Sequence, residues 1–206
     1  VLARHVRYLG SLRWDFDKLH TMPIEPEFEV LVRRFLASVL ERDPGAGPRG
    51  WKLPETTLIY PWIVRMFPDA RYIFWVRDPR DCILGGHLTD DLAKFGIPYD
   101  PAATDRERRA ISWKYQAEIY KATPKPRHLL EVRFEDMVLR QAETLKRLED
   151  YLGFPLATIP MRADAIGRWK SDAGPFDFPF FHEELSRYGY EPTPASSAVA
   201  PPRKET

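Results

Sequence analysis

From Pro26 onward apolar residues recur at helical spacing: Phe28, Leu31, Val32, Phe35, Leu36, Val39 and Leu40 follow the i, i+3, i+4, i+7 rule. This predicts an amphipathic helix opened by a proline and broken by Asp43 to Gly50, a stretch with two prolines and three glycines. Trp51-Lys52-Leu53-Pro54 reads as a short strand stopped by its proline, and Glu55 to Phe67 as a helix made irregular by Pro61. Tyr72 to Val76 is apolar without alternation, as expected of a strand covered on both faces of a parallel sheet. Thr104 to Glu107 forms a capping box, and Ile111, Tyr115, Ile119 and Ala122 continue a helix behind it. His128 to Phe134 reads as a second strand. Gln141 to Leu152 reads as a helix with Leu145, Leu148 and Leu152 inward and Gly153 as its stop. Strands alternating with helices predict an α/β domain of three layers, a parallel sheet with helices flanking it.

Composition narrows this. The 206 residues suit one domain, expected over 1–191, with 192–206 (PTPASSAVAPPRKET) as a loose tail that has little to bury. A hydrophobic share of 44% and an aromatic share of 13% exclude a wholly disordered chain. Lys and Arg number 31 against 30 Asp and Glu, a net charge of +1. That balance argues against a nucleic-acid partner, so any anion binding must rest on a few placed cations. The single cysteine, Cys82, forbids an internal disulfide and suits a reducing compartment such as the cytoplasm. No apolar run reaches the roughly 18 residues that would span a bilayer, so no membrane segment is expected in this chain. The chain opens on Val1 without a methionine, and an N-terminally incomplete domain is expected.

The sharpest local feature is Arg77-Asp78-Pro79-Arg80-Asp81, directly after the apolar strand. Asp78 suits an N-cap, Pro79 the first helical position, and Asp81 the residue that bonds back to the cap. Arg77 thus sits where a parallel strand ends and a helix begins, the crevice in which open α/β sheets bind ligands, and its guanidinium suits a phosphate or sulfate. The alternative is that Arg77 pairs with Asp78 or Asp81 and only locks the turn. A second basic cluster, Arg162, Arg168 and Lys170 around Trp169, could close over a phosphate or form a solvated loop with the tryptophan plugging the core.

Together these segments resemble the sulfotransferases that use 3′-phosphoadenosine 5′-phosphosulfate, over about Trp51 to Asp172. FPDARYIFWVRDPRDCILGG is similar to the family's 3′-phosphate strand-turn-helix motif, HLLEVRFEDM to the strand entering its Tyr-Glu-Asp motif, and MRADAIGRWK to its Arg-Lys-Gly…Gly-Asp-Trp-Lys region. The resemblance implies a P-loop-like α/β fold and sulfuryl transfer to a hydroxyl or amine of a small-molecule or glycan acceptor, without a metal. Arg77 and Arg162 would hold the donor's 3′-phosphate. Gly85 stands where the family has a serine, and its small size would let a backbone N–H approach instead. Phe134 stands in the place of the tyrosine near the adenine. Ala163 and Asp164 replace a Lys-Gly pair, and Arg168 or Lys170 is the candidate substitute cation.

For catalysis, Lys52 falls in the register of the family's Thr-His-Leu-Pro segment and would stabilise the transferring group. Acting as a base, it would need its pKa lowered from about 10.4. Its bland role is a salt bridge to Glu55. Glu55, His20 and His87, the last expected on Arg77's helix, are the other candidates for taking the acceptor proton. Tyr99, Trp113 and Tyr115 are candidates for the acceptor side. The resemblance also implies a phosphate-cradling loop rich in Gly, Ser and Thr, which no segment here matches. Val1 to Leu12 resembles the region that follows it, so the loop and the central strand are expected upstream. Alternative readings are a sulfotransferase-like nucleotide- or protein-binding module without catalysis, or a nucleotide kinase. The chain contains no G-x-x-x-x-G-K-[ST] for the latter. Homo-oligomer formation stays open.

Overall fold

The computed structural model describes residues 21, 23–41 and 47–193. Two parallel strands, β1 (Tyr72–Val76) and β2 (Leu129–Arg133), pair in register from Tyr72 opposite Leu129 to Val76 opposite Arg133. Side chains alternate across a strand, so this register sorts the apolar residues onto two faces. Tyr72, Phe74 and Leu129 pack into a large core with α1 (Pro26–Glu41), α2 (Tyr60–Met66), α4 (Leu92–Phe95) and α5 (Asp105–Ala122). Ile73, Leu130 and Val132 pack on the other side with α6 (Phe134–Leu139) and α7 (Gln141–Leu152). Apolar cores therefore cover both faces of β1, as its unbroken apolar run implies. Trp75 departs from this at 44% exposed. The described sheet has two strands, so the α/β class holds but a full three-layer sheet is not established.

Several elements match the periodicity closely. α1 buries Phe28, Val32 and Leu36, one narrow line of the expected stripe, while Leu31 and Phe35 stay exposed. Helix α7 has the expected ends, with Gly153 at φ 82 in the left-handed region where a side chain is disfavoured. Thr104 and Glu107 close a reciprocal capping box: the Glu107 N–H donates to Thr104 Oγ1, and the Thr104 N–H donates to Glu107 Oε2 at 2.7 Å. The Thr104 hydrogen bonds, backbone first, hold the Glu107 carboxyl below its ordinary value. A depressed folded-state pKa adds stability above the unfolded value and loses it as pH falls through the folded one. Thr104→Ala is expected to cost about 1 kcal/mol at neutral pH, a Tm drop of roughly 2–4 °C. Thermal melts should show that gap narrowing as pH is lowered through the carboxylate range.

Other expectations are corrected. Trp51 to Leu53 is not a strand: Leu53 is extended, but no strand among the described residues pairs with it, and Pro54 starts a 3₁₀ turn over Pro54–Ile59. The expected Glu55–Phe67 helix is therefore split, 3₁₀ first and α2 after, with Pro61 at the junction where its missing N–H costs nothing. Residues 173–191, to which the sequence reading assigned no element, carry a 3₁₀ turn at Pro179–Phe181 and α8 (His182–Arg187). Phe181 and Leu185 form a third small core with Ile83 and Ala110. His20 and almost all of the expected tail lie outside the described residues.

Candidate functional site

β1 ends at Val76, Arg77 follows, and α3 (Pro79–Cys82) begins two residues later. Asp78 caps α3 by accepting from the Arg80 N–H at 2.9 Å. The same carboxylate grips the Arg80 guanidinium through Nε at 2.9 Å and Nη2 at 2.7 Å. Arg80 is 1% exposed, and its guanidinium lies 3.9 Å from the Trp169 ring centroid. Asp78 in turn donates its N–H to Glu135 Oε1 at 3.0 Å, and Glu135 Oε2 accepts from the Tyr190 hydroxyl at 2.9 Å. Glu135 lies in the first turn of α6, which follows β2 directly, so this chain of bonds ties the ends of both strands together.

Asp81 does not bond back to its own cap. Its buried carboxylate crosses to a distant segment and accepts from the backbone N–H of Gly167 at 2.7 Å and of Trp169 at 3.1 Å. Gly167 sits at φ 69, a left-handed conformation that leads into the Arg168–Ser171 turn. The strand-turn-helix and the basic cluster are thus fastened to each other by Asp81.

These locks leave Arg77 for other work. Its guanidinium stacks over Phe134 at 4.6 Å, donates to the Ala165 carbonyl at 2.5 Å, and lies 3.9 Å from Asp81. Its Nε is buried without a hydrogen bond, and its side chain is 27% exposed. Beside it opens a cleft of about 220 Å3 whose lining includes Trp75, Cys82, Trp113, Tyr188 and Glu184. Burial pushes the Cys82 thiol up to about 12 despite the lowering effect of Arg77. At pH 8 the folded protein is therefore expected to react with an alkylating reagent at least about 100-fold more slowly than free cysteine. Rapid labelling under native conditions would contradict this packing.

The remaining sequence-derived candidates divide. Phe134, expected near the adenine, lies under the Arg77 guanidinium. Trp113 lines the cleft, whereas Tyr115 packs against the main core and Tyr99 stays at the surface. Arg162 precedes the Ala163–Ala165 turn that Arg77 touches, but its own guanidinium is 82% exposed and pairs with Asp164 at 2.5 Å. Lys170 pairs with Glu191 at 2.7 Å, and Arg168 donates to the Asp81 carbonyl at 3.4 Å. Gly85 is exposed with open space around it and a φ that other residues adopt. Lys52 is exposed before the 3₁₀ turn and forms no ion pair with Glu55; Thr57 of that turn reaches the cleft. His87 is not on α3, which stops at Cys82; its imidazole instead caps the Leu88–Asp90 turn, accepting from the Thr89 N–H. Arg80, Asp81, Glu135 and Glu184 escaped the sequence reading as parts of the site. For the first two, a visible signal was an arginine and a carboxylate in a turn with more charges than one anion needs. Glu184 sits in a segment with no comparable signal.

The described residues form an α/β protein in which a parallel strand ends on a partly buried arginine, beside an aromatic cleft and across from a basic turn. The chain belongs to the Sulfotransferase family, whose sequence profile matches residues 7–158. That family has the P-loop-like α/β fold. The chain is 24% identical over 166 residues to a Caenorhabditis elegans protein named "Putative protein-tyrosine sulfotransferase", a match covering 75% of this chain and 60% of that protein. A Caenorhabditis briggsae protein of the same name is 22% identical over 144 residues, covering 68% of this chain and 49% of its own length. The chain therefore spans about half to three-fifths of the curated relatives it matches. No solved structure matches it.

Proposed function

We propose that this protein transfers a sulfuryl group from 3′-phosphoadenosine 5′-phosphosulfate to a hydroxyl acceptor, and that Arg77 binds the donor's 3′-phosphate. The observation that carries this reading is Arg77 itself. It is held over Phe134 at the end of β1 with an unsatisfied Nε, while Arg80 and Asp81 satisfy the neighbouring turn. An arginine with spare donors at a strand's carboxyl end suits a phosphate, and the Phe134 ring supplies an apolar face beside it. Bound there, the donor would supply an activated sulfuryl group on a phosphate leaving group. Arg162 and Lys170 are the second-line cations. Their present partners are exposed ion pairs, worth little in water, so exchanging them for a phosphate costs little. Lys52, on the segment leading into the cleft's Thr57, would stabilise charge on the transferring group.

β1 pairs on one edge only among the described residues, and Trp75 is exposed beside the open edge. This supports a further strand joining the sheet there and widening the layer between the two sets of helices. The relatives' printed names favour a tyrosyl hydroxyl as the acceptor.

Calorimetry with the full-length protein tests the donor assignment. 3′-Phosphoadenosine 5′-phosphate is expected to bind at least tenfold tighter than adenosine 5′-phosphate, which lacks the 3′-phosphate. Equal affinities would overturn the assignment. The second reading, a nucleotide-binding module without catalysis, is favoured by Gly85, which brings no hydroxyl, and by Asp164 occupying Arg162. Under it the bisphosphate binds but labelled sulfate never reaches any acceptor.

A further inference from the structure

One wall of the cleft is a face of α5: Trp113, Gln116, Ala117 and Tyr120 line it, at positions i, i+3, i+4 and i+7. Trp113 brings a ring and Ala117 a methyl group, and the Tyr120 hydroxyl is taken by Glu131. Gln116 is therefore the wall's polar side chain, and its amide is held in one orientation. Its Nε2 donates to the Ser112 carbonyl at 3.3 Å, to Ser112 Oγ at 3.2 Å and to Thr89 Oγ1 at 3.3 Å. A carbonyl can only accept, and the Ser112 hydroxyl spends its proton on the Thr89 carbonyl at 3.0 Å, so these groups must face an NH2. Turning the amide over would set oxygen against oxygen. Ser112 and Thr89 are buried, and neither lines the cleft. Gln116 Oε1 accepts nothing among the described residues. Nor is it one of the unpaired atoms sealed from solvent, which among the cleft's residues are Arg77 Nε, Glu184 Oε1 and Tyr188 OH. Gln116 thus offers the cleft an open acceptor, fixed on its other side. The Glu184 charge is met by Lys121 at 3.4 Å, so an ammonium entering the cleft would face Arg77 uncompensated, whereas a neutral O–H would not. The volume, about 220 Å3, is below the roughly 300–1,000 Å3 of pockets for drug-sized ligands, so it suits one ring rather than a whole nucleotide.

We infer that Gln116 is a specificity-determining residue: its Oε1 accepts a hydrogen bond from the hydroxyl of an aromatic ligand lying against Trp113. Calling that ligand the sulfuryl acceptor rests on the sulfotransfer reading above; the hydrogen bond itself does not. An amide oxygen is too weak a base to take the proton, so Gln116 positions the hydroxyl and leaves the oxygen's lone pairs free to face the donor. A site built around such an acceptor discriminates against a ligand of similar shape that lacks the O–H, because Oε1 is then left without a partner.

The test uses the full-length protein, its Gln116→Met variant, and two probes, 4-methylphenol and toluene, the second smaller and without the hydroxyl. Trp75 and Trp113 line the cleft, so binding is followed by tryptophan fluorescence. The unmodified protein is expected to bind 4-methylphenol about tenfold tighter than toluene, the scale of one hydrogen bond. In Gln116→Met, which keeps the length of the side chain, 4-methylphenol should weaken by about tenfold while toluene keeps its affinity, so the preference disappears. A merely structural role for Gln116 would move both probes together, and that result overturns the inference, as does a preference that survives in Gln116→Met. At saturating donor, KM for 4-methylphenol should rise by about tenfold with kcat within about threefold, the mark of lost ground-state binding. Affinity for 3′-phosphoadenosine 5′-phosphate should stay unchanged. If the bisphosphate fails to bind while the preference for 4-methylphenol holds and depends on Gln116, the donor reading falls and the hydroxyl specificity of the cleft stands. Should Gln116→Met melt early, the two probes on the unmodified protein decide: equal affinities, or no binding of either, overturn the inference.

Discussion

Arg77→Ala is expected to weaken binding of 3′-phosphoadenosine 5′-phosphate by about 30-fold or more, with little effect on stability. Removing one partner of a desolvated, hydrogen-bonded charge pair costs about 2–5 kcal/mol of affinity, and tenfold corresponds to about 1.4 kcal/mol. The stability effect is small because Arg77 spends little on the fold. Its contacts there are one hydrogen bond to Ala165, a long approach to Asp81 and the face of Phe134. Losing the hydrogen bond costs about 1 kcal/mol. Arg77→Lys should restore only part of the affinity, since an ammonium keeps the charge but neither the planar fork nor the stacking on Phe134. Calorimetric titration of both variants, with circular dichroism to confirm the fold, decides the matter. Equal affinity in Arg77→Ala and the unmodified protein would remove Arg77 from the site.

Arg80→Met, three residues away, should behave in the opposite way. Arg80 is buried, bidentate on Asp78 and stacked on Trp169, so its removal strands a carboxylate in the interior. Breaking a buried pair by deleting one partner costs about 3–5 kcal/mol. For a chain of this size that lowers Tm by roughly 10 °C. Asp78→Asn combined with Arg80→Met should cost clearly less than the sum of the two single changes, because no unpaired charge is left behind. Thermal melts of the three variants measure the cycle. A Tm within 2 °C of the unmodified protein for Arg80→Met would show that the pair is not the lock described here.

The contrast between these two arginines marks where sequence reasoning ended. Arg77 and Arg80 belong to the same RDPRD turn, and either could bind an anion or brace the turn. The position after a buried strand favoured Arg77 for the anion, and in the structure it is Arg80 that takes the turn's carboxylate, Asp78. Nothing local showed that Arg80 would take Asp78, or that Asp81 would leave its own helix for Gly167 and Trp169. His87 went wrong for a related reason: α3 was expected to continue, but it stops at Cys82, before Gly85 and Gly86.

By itself the sequence determined the elements whose causes lie within a few residues. These include β1 from its unbroken apolar run, the Thr104 capping box, α7 with its glycine stop, and the placing of Arg77 at a strand's end. Periodicity, capping and φ preference act over one or two turns, so they are written locally. The tertiary structure decided which charges find partners and which stay free. Asp78 meets Glu135 across 57 positions, Asp81 meets Trp169 across 88, and the buried Glu184 carboxylate meets the ammonium of Lys121. A buried charge must be paired, and the chain offers 61 charged side chains as partners (31 basic and 30 acidic). Only the packing of two strands and their helices selects among them, and that selection sets Arg80 on Asp78 and Arg77 over Phe134.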